Sequence, residues 1–386
     1  MFLRCLKLAG VRNLAAQTIH PGPGVNLLAG ENGSGKTSLL EAIFLLARAR
    51  SFRTSMIDAV VCRGATSCAV YGEVEVDAQG SPAAIRRLGV SRETRDGFRY
   101  RIDGETVKAA SKLADTLPLI LINSDSFTLL DGPPKARRQY LDWGLFHTVP
   151  QARLLWSQYL RAHQQRNALL RRARAGAPLD PEELELWDQR LAMSGELITN
   201  ARHAYTEDIA PVILKMIEAL SPEIGALGFG FQPGWDHGKA LAEALVINRA
   251  RDIMHGATQA GPHRADLRIR LNGRPAVEAL SRGQGKALIL AMLLAQGAHF
   301  LRQRGRSCLN LIDDLPAELD QRHRRRVAQM MAEIGGQSFV TGTDAAQLRA
   351  DWGGLSPEPP LHMFHVEQGR VIERSPPPPC ASPYDA

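Results

Sequence analysis

The sequence predicts an α/β protein: a phosphate-loop head with mixed sheets, built from both ends of the chain and interrupted by an inserted, mainly helical lobe. Three observations predict it. Gly30-Glu31-Asn32-Gly33-Ser34-Gly35-Lys36-Thr37 fits G-x-x-x-x-G-K-[ST], preceded by an apolar strand-like run and followed by an apolar helix-like run. Far downstream, Cys308–Asp320 (CLNLIDDLPAELD) is another apolar strand, ending in paired carboxylates. Between the two, from Lys135 to about Leu220, the chain reads as helices.

The elements follow in order. Leu3–Leu8 and Gly24–Leu28 are short apolar strands, Gly30–Thr37 is a loop, and Ser38–Ala49 is a helix apolar on all sides and hence buried. From Ser67 to Val107 the runs CAVYGEVEV, AAIRRLGV and FRYRIDG are strand-like, with Asp103-Gly104 as a tight hairpin turn. LPLILI, Leu117–Ile122, is a buried strand. In the helical stretch Trp143, Leu154, Leu155, Tyr159, Leu169, Trp187, Leu191 and Ile198 are the candidate core, and Pro178 and Pro181 punctuate it. Strands return after Gly225 (GFGFQPG), then a helix at Lys239–Arg249 and a strand at Asp266–Leu271. The last third alternates a helix at Gly283–Arg302, a strand at Ser307–Asp313, a helix at Arg322–Gly335 and a strand at Ser338–Thr341. The expected domains are therefore a discontinuous head, 1–122 with 226–374, a helical lobe, 123–225, and a disordered proline-rich tail, 375–386.

A chain of 386 residues accommodates a head and a lobe, and 44% hydrophobic with 23% charged residues is an ordinary globular balance. The formal net charge of +7 favours a polyanionic partner, nucleic acid before membrane. Cys5, Cys62, Cys68, Cys308 and Cys380 are odd in number and include no CxxC pair, which argues against a disulfide framework or a zinc site. Arg4, Lys7 and Arg12 interrupt the N-terminal apolar run, so a signal-peptide core is absent, and the apolar run Ala287–Gln296 is too short to span a bilayer. A cytoplasmic protein with no membrane partner is expected.

The chemistry of the first motif is phosphate binding. Glycines let successive backbone N–H groups turn inward around a β-phosphate, and the following helix start adds positive potential. Gly30, Glu31, Asn32, Gly33, Ser34, Gly35, Lys36, Thr37 and Ser38 are the expected ATP site: Lys36 reaches the β- and γ-phosphates, and the Thr37 hydroxyl ligates Mg²⁺. Asp313 is expected to hold the same Mg²⁺, and Asp314 to polarise the attacking water.

Leu280-Ser281-Arg282-Gly283-Gln284-Gly285-Lys286, ahead of a long apolar helix, resembles the signature of ABC-type ATPases. Ser281 caps the helix and Gly283 leaves its backbone bare for an anion. In the ABC arrangement the signature (here Ser281, Arg282, Gly283 and Gln284) contacts the γ-phosphate of the opposite head. One chain carries one phosphate loop and one signature, so two complete sites require a homodimer closed by two ATP molecules. Ala317-Glu318-Leu319-Asp320 looks like the D-loop that crosses such an interface, with Glu318 and Asp320 as its polar residues. Most ABC-type sites carry Glu where this chain has Asp314; the shorter side chain predicts slow hydrolysis, suited to a switch.

The whole constellation resembles the RecF family, whose head is ABC-type and SMC-like. The matching stretches are GENGSGKTSLLEAI, RSFRT, LLDGPPKARRQYLDWGLFH, QQRNALL, WDQRLAMSG, TQAGPHRADL, LSRGQGK, LIDDLPAELD, TGT and MFHVEQG, spread over about residues 1–372. The resemblance implies ATP-dependent dimerisation, binding to duplex DNA and to single-strand/duplex junctions, weak DNA-stimulated ATP hydrolysis, and cooperation with RecR and RecO in loading the RecA recombinase. ABC transporters place a switch histidine where this chain reads Thr341-Gly342-Thr343, so Thr343 is the expected sensor. A clear Q-loop glutamine is missing, and Asn123-Ser124-Asp125 stands in its place. Arg50 and Arg53 either reach nucleotide or are surface arginines, and Arg12 and Asn13 carry the same alternative. His263, in Gly261-Pro262-His263-Arg264, reads as a structural or interface histidine.

Basic residues cluster on the lobe. Arg137, Arg138, Arg161, Arg166, Arg171 and Arg172 are the candidate phosphate contacts to DNA, although Arg137 and Arg138 have the alternative of pairing with carboxylates inside the head. Three other functions share parts of this pattern. A membrane-transporter ATPase would have the switch histidine, a phosphate-loop kinase would lack the signature, and a long-armed SMC protein would need hundreds of heptad residues between the motifs.

Overall fold

A computed structural model describes residues 1–78, 81–93 and 97–374; the tail assigned to 375–386, with Cys380, lies outside them. The chain forms two compact units, Met1–Ser126 with the chain from Gly297 onward, and Phe127–Gln296. The helical stretch thus keeps the strands and turns up to Gln296 with it, where the sequence placed residues from 226 onward with the head.

The first unit carries two six-stranded sheets. One is antiparallel throughout, in the order Gln17–Ile19, Phe2–Ala9, Ser67–Ala78, Ser81–Glu93, Gly97–Ile102 and Glu105–Val107. Its last hairpin turns at Asp103-Gly104, where both residues take positive φ (53° and 88°) and Ile102 faces Glu105, the two-residue turn that the dipeptide predicts. The other sheet runs Arg370–Glu373, Leu361–Glu367, Val25–Ala29, Ser338–Gly342, Leu309–Ile312 and Leu119–Ile122. All of its pairings are parallel except that of the edge strand Arg370–Glu373. Val25–Ala29, Ser338–Gly342 and Leu309–Ile312 are buried at every residue, as the centre of a parallel sheet requires. The helix Lys36–Arg48 shares one core with both sheets: Leu39, Leu40, Ile43 and Leu46 cluster with Leu3, Leu6 and Val74 and with Leu309, Leu311 and Phe339. That is why its sequence shows no polar stripe.

The second unit is built on the helices Pro134–Thr148, Ala152–Arg174 and Pro181–Leu220, with a three-stranded antiparallel sheet of Leu227–Gln232, Asp266–Leu271 and Arg274–Pro275. Asp180 caps the longest helix, accepting hydrogen bonds from the N–H groups of Glu182 and Glu183. Tyr159, Leu169, Leu191 and Ile198 are buried as expected and Leu155, Trp143 and Trp187 partly so, but Leu154 is 56% exposed. Leu154 was assigned to the core on its apolarity alone; it falls off the buried face that Tyr159, Ala162, Leu169 and Leu170 define along the helix. The single helix expected over Lys239–Arg249 is two, Leu241–Ile247 and Arg249–His255. Asn248 separates them, its side chain donating to the Ala244 carbonyl at 2.7 Å. The helix Arg282–Arg304 contains the division between the units.

Candidate functional site

Within the first unit the ends of the parallel strands Val25–Ala29, Leu309–Ile312 and Ser338–Gly342 deliver one residue set to one cleft. It measures about 680 Å³ and is lined by Asn32, Gly33, Gly35, Lys36, Thr37, Ser38, Asp313, Asp314 and Thr341, together with Arg12, Asn13, Arg53, Ala59, Val61, Cys62 and Arg63. The phosphate loop needs its glycines. At Gly30 a Cβ would stand 2.2 Å from the Val366 carbonyl oxygen, and Gly35, with φ 118°, turns the loop into the helix. Lys36 is 8% exposed and its Nζ donates to the carbonyls of Gly30 (2.7 Å) and Glu31 (2.8 Å), arching over the loop. Burial lowers its pKa from the ordinary lysine value, and the nearby Asp314 and Asp313 oppose that shift. Ser38 donates to Asn13 at 2.8 Å, and Asn13 donates to the Gly33 carbonyl at 3.2 Å, so Asn13 braces the loop. Of the paired alternatives, Arg12, Asn13 and Arg53 line the cleft, whereas Arg50 lies over the Phe44 ring at 5.9 Å.

The two motifs meet at Asp313. Its Oδ1 accepts from the Thr37 hydroxyl at 3.0 Å and from the Thr341 hydroxyl at 2.9 Å. The same Thr341 oxygen accepts the Asp314 backbone N–H at 2.8 Å. Asp314 itself sits in the left-handed region, φ 54° and ψ 45°, a strained conformation for a residue with a Cβ and one that concentrates at functional sites. Its pKa is raised, first by desolvation and then by Asp313 and Glu318, against the pull of Lys36.

The sequence missed two residues here. Thr341 is 0% exposed and bonded to both aspartates, whereas Thr343, the expected sensor, is exposed and is not among the lining residues of the cleft. The register pairing of Ile312 with Val340 puts Thr341 beside Asp313, but a threonine on a strand reads as an ordinary β-branched residue. Glu41, fully buried on the phosphate-loop helix, pairs with Arg12 at 2.8 Å. Its signal was the lone acidic residue in a largely apolar helix.

The remaining candidates are placed as follows. In the second unit Ser281 accepts the Gln284 N–H at 3.3 Å and Gln284 Oε1 accepts the Ser281 N–H at 3.0 Å, a reciprocal capping box. Ser281, Arg282 and Gly283 are exposed, and beyond its own helix a Cβ at Gly283 would meet open space. In the first unit Asp320 caps the helix Gln321–Ile334 and accepts from His323 Nδ1 at 2.8 Å; Glu318 is half-buried, and the side chain of Ala317 is outside the described residues. Asn123 caps the turn at Ser124–Phe127, accepting the Ser126 N–H at 3.2 Å. His263 donates from Nε2 to the Thr258 carbonyl at 3.0 Å and accepts the Tyr159 hydroxyl at Nδ1, 2.6 Å. Burial and the neighbouring His163 push its pKa down to about 4, so it is a neutral structural bridge.

Among the candidate DNA arginines, Arg166 is a correction. It is 0% exposed and bonded to Asp188, Asp252 (2.7 Å) and Thr258 (2.8 Å), which leaves it no access to a phosphate. Arg137 pairs with Asp266 at 2.7 Å, the carboxylate alternative, whereas Arg138 donates to the backbone carbonyl of Ala265 at 2.9 Å. Arg161, Arg171 and Arg172 are exposed.

Known proteins share this architecture. The family model for the RecF/RecN/SMC N terminal domain matches residues 2–353. A protein of Pseudomonas putida (strain GB-1) named DNA replication and repair protein RecF is 43% identical over 373 residues, 97% of this chain and 98% of its own. A protein of the same name from Azotobacter vinelandii is 42% identical over 97% of this chain and 99% of its own. The solved structure of the recombination mediator protein RecF with ATP, in the RecFOR pathway, has a TM-score of 0.85 at 24% identity, covering 97% and 98% of the two chains. An Smc head bound to the C-winged helix domain of ScpA has a TM-score of 0.58 at 15% identity over 97% of each chain. The fold is thus a mixed α/β head of the RecF and SMC type.

Proposed function

The chain belongs to the RecF family of DNA replication and repair proteins, and from that premise we propose that it is an ATP-dependent DNA clamp. Two copies close around two ATP molecules, each bound by the phosphate loop of one copy and capped by Ser281 of the other. The observation that carries this reading is the convergence of Lys36, Thr37, Asp313, Asp314 and Thr341 on one cleft, while the Ser281 helix start belongs to the other unit and is solvent-exposed.

The donor set suits magnesium. Thr37 Oγ1 and Asp313 Oδ1 lie 3.0 Å apart, two hard oxygens of the kind that hold Mg²⁺ together with phosphate oxygens and water. Bound there, the ion would neutralise phosphate charge. Lys36 turns its Nζ from the loop carbonyls to the β- and γ-phosphates, and the loop N–H groups bind the rest. Asp314 polarises a water for in-line attack on the γ-phosphorus; release of phosphate removes what Ser281 grips, and the clamp opens. Its short side chain makes this step slow.

DNA is held through backbone phosphates by exposed basic residues of the second unit, Arg161, Arg171 and Arg172 among them. We place the protein in the cytoplasm, acting with RecR and RecO to load a recombinase at gapped DNA. The family replaces the alternative of a membrane-transporter ATPase. Gel filtration with and without ATP, followed by titration of duplex and junction DNA, tests the proposal. A dimer that forms only with ATP and binds DNA, with both properties lost in Lys36→Met, is the expected result. A chain that stays monomeric with ATP would reject it.

A further inference from the structure

Glu41 is the only acidic residue of the helix Lys36–Arg48 and is 0% exposed. Burying an ionised carboxylate is costly unless hydrogen bonds and a counter-charge compensate it. Here the compensation comes from the cleft wall. Oε2 accepts Arg12 Nε at 2.8 Å and Oε1 accepts Arg12 NH2 at 2.8 Å, a two-point fork. Oε1 also accepts the Ser51 hydroxyl, whose oxygen in turn accepts the N–H groups of Arg53 (2.9 Å) and Thr54 (3.1 Å). Arg53 NH1 lies 3.6 Å from Oε2, too far for a hydrogen bond, and its side chain is 44% exposed. One carboxylate therefore ties the phosphate-loop helix to two separate segments, each of which sends an arginine to the cleft.

The two arginines are held differently. Arg12 is fixed along one edge, and its backbone, with φ 49°, is pinned by donation to the Val60 carbonyl at 2.8 Å. Its NH1 group makes no hydrogen bond among the described residues. Arg53 is held by charge alone and can turn. We propose that Glu41 is a positioning residue for the nucleotide phosphates: it locks Arg12 as a preset anion donor in the cleft wall and keeps Arg53 beside it, free to transfer to the same ligand. The inference rests on the nucleotide reading of the cleft.

The test is equilibrium titration of the full-length protein with ATP and with ADP, in wild type, Arg12→Lys, Arg12→Gln, Glu41→Gln and the Glu41→Gln/Arg12→Gln double variant. A lysine cannot bridge both carboxylate oxygens and still face the ligand. Arg12→Lys and Arg12→Gln are therefore both expected to weaken nucleotide binding about ten-fold, the scale of one charge-assisted contact. Glu41→Gln is expected to weaken it similarly, and the double variant no further than Arg12→Gln alone. Wild-type affinity in Arg12→Lys overturns the proposal, as does a double variant whose loss is the product of the two single losses. Should Glu41→Gln fail to fold, Arg12→Lys alone decides. A wild-type chain that binds no nucleotide overturns the nucleotide reading itself, whereas normal wild-type binding with an unaffected Arg12→Lys removes only the role of Glu41.

Discussion

The Thr341 hydroxyl stands between the two halves of the acidic motif, donating to Asp313 Oδ1 at 2.9 Å and accepting the Asp314 N–H at 2.8 Å. It sets the carboxylate that faces Thr37 and holds the next residue in its left-handed turn. Thr341→Val keeps the shape, removes the donor and leaves the Asp314 N–H without a partner. We expect a loss of roughly 1–3 kcal/mol in stability, together with slower ATP hydrolysis, while Thr341→Ser retains most of both. Thermal unfolding and phosphate release measure the two effects; a valine variant that hydrolyses like wild type would show that the bridge is not used.

Asp314 gives a pH-dependent prediction whose sign follows from its environment. Its folded pKa lies above the ordinary 3.8, so the folded state holds this proton more tightly than the unfolded chain does. The contribution of this group to stability therefore falls as pH rises through the raised value, and at neutral pH the ionised side chain opposes folding. Asp314→Asn should raise the melting temperature of the nucleotide-free protein near neutral pH. The gain should shrink toward the ordinary carboxylate range, and hydrolysis should be lost. Calorimetry across a pH series checks the sign: a melting temperature lowered at neutral pH would contradict it.

The contrast between these residues and their neighbours shows what the sequence carried. Lys36, Thr37 and Asp313 are legible because the chemistry demands those residue types at fixed spacing, between runs whose apolarity marks a buried strand and helix. Thr341 and Glu41 are not, because their roles arise only when strands pair in register and a helix packs between two sheets. Arg166 shows the opposite case. Its charge alone suggested DNA, but it shares a helix face with Tyr159, Ala162, Leu169 and Leu170, all buried, a spacing that went unused in reading it. The unit boundary was obscured because the strands Leu227–Gln232 and Asp266–Leu271 look like head strands in sequence but, among the described residues, pair with each other and with Arg274–Pro275 alone.

Arginines on one helix should then separate into two classes. Arg166→Ala strands Asp188 and Asp252 in the interior of the second unit, although Arg249 still reaches Asp188 at 3.1 Å, and should cost about 3–5 kcal/mol. Arg171 and Arg172 lie in the last turn, exposed, where they also favour the helix dipole. Arg171→Ala and Arg172→Ala should leave stability within about 0.5 kcal/mol. Each should flatten the dependence of DNA affinity on salt by roughly one unit of log–log slope. DNA titrations over a salt series read the slope; unchanged slopes for both would move the DNA surface elsewhere.

The proposed sandwich arrangement makes a prediction that no single-chain ATPase shares. Lys36→Met removes the phosphate-loop half of a site, and Ser281→Arg puts a bulky side chain into the capping half; each homodimer then has two defective sites. If the loop of one copy faces the cap of the other, as proposed, both lesions fall in the same site of a mixed dimer. The remaining site then has wild-type Lys36 on one side and wild-type Ser281 on the other. Mixing the two inactive proteins should therefore restore ATP-dependent association and hydrolysis, to at most about a quarter of the wild-type rate if half the dimers are mixed and each mixed dimer keeps one of two sites. Size exclusion with ATP and phosphate release on a titrated mixture measure it. Absence of any recovery, with both variants folded, would mean that Lys36 and Ser281 do not act on one nucleotide from different chains.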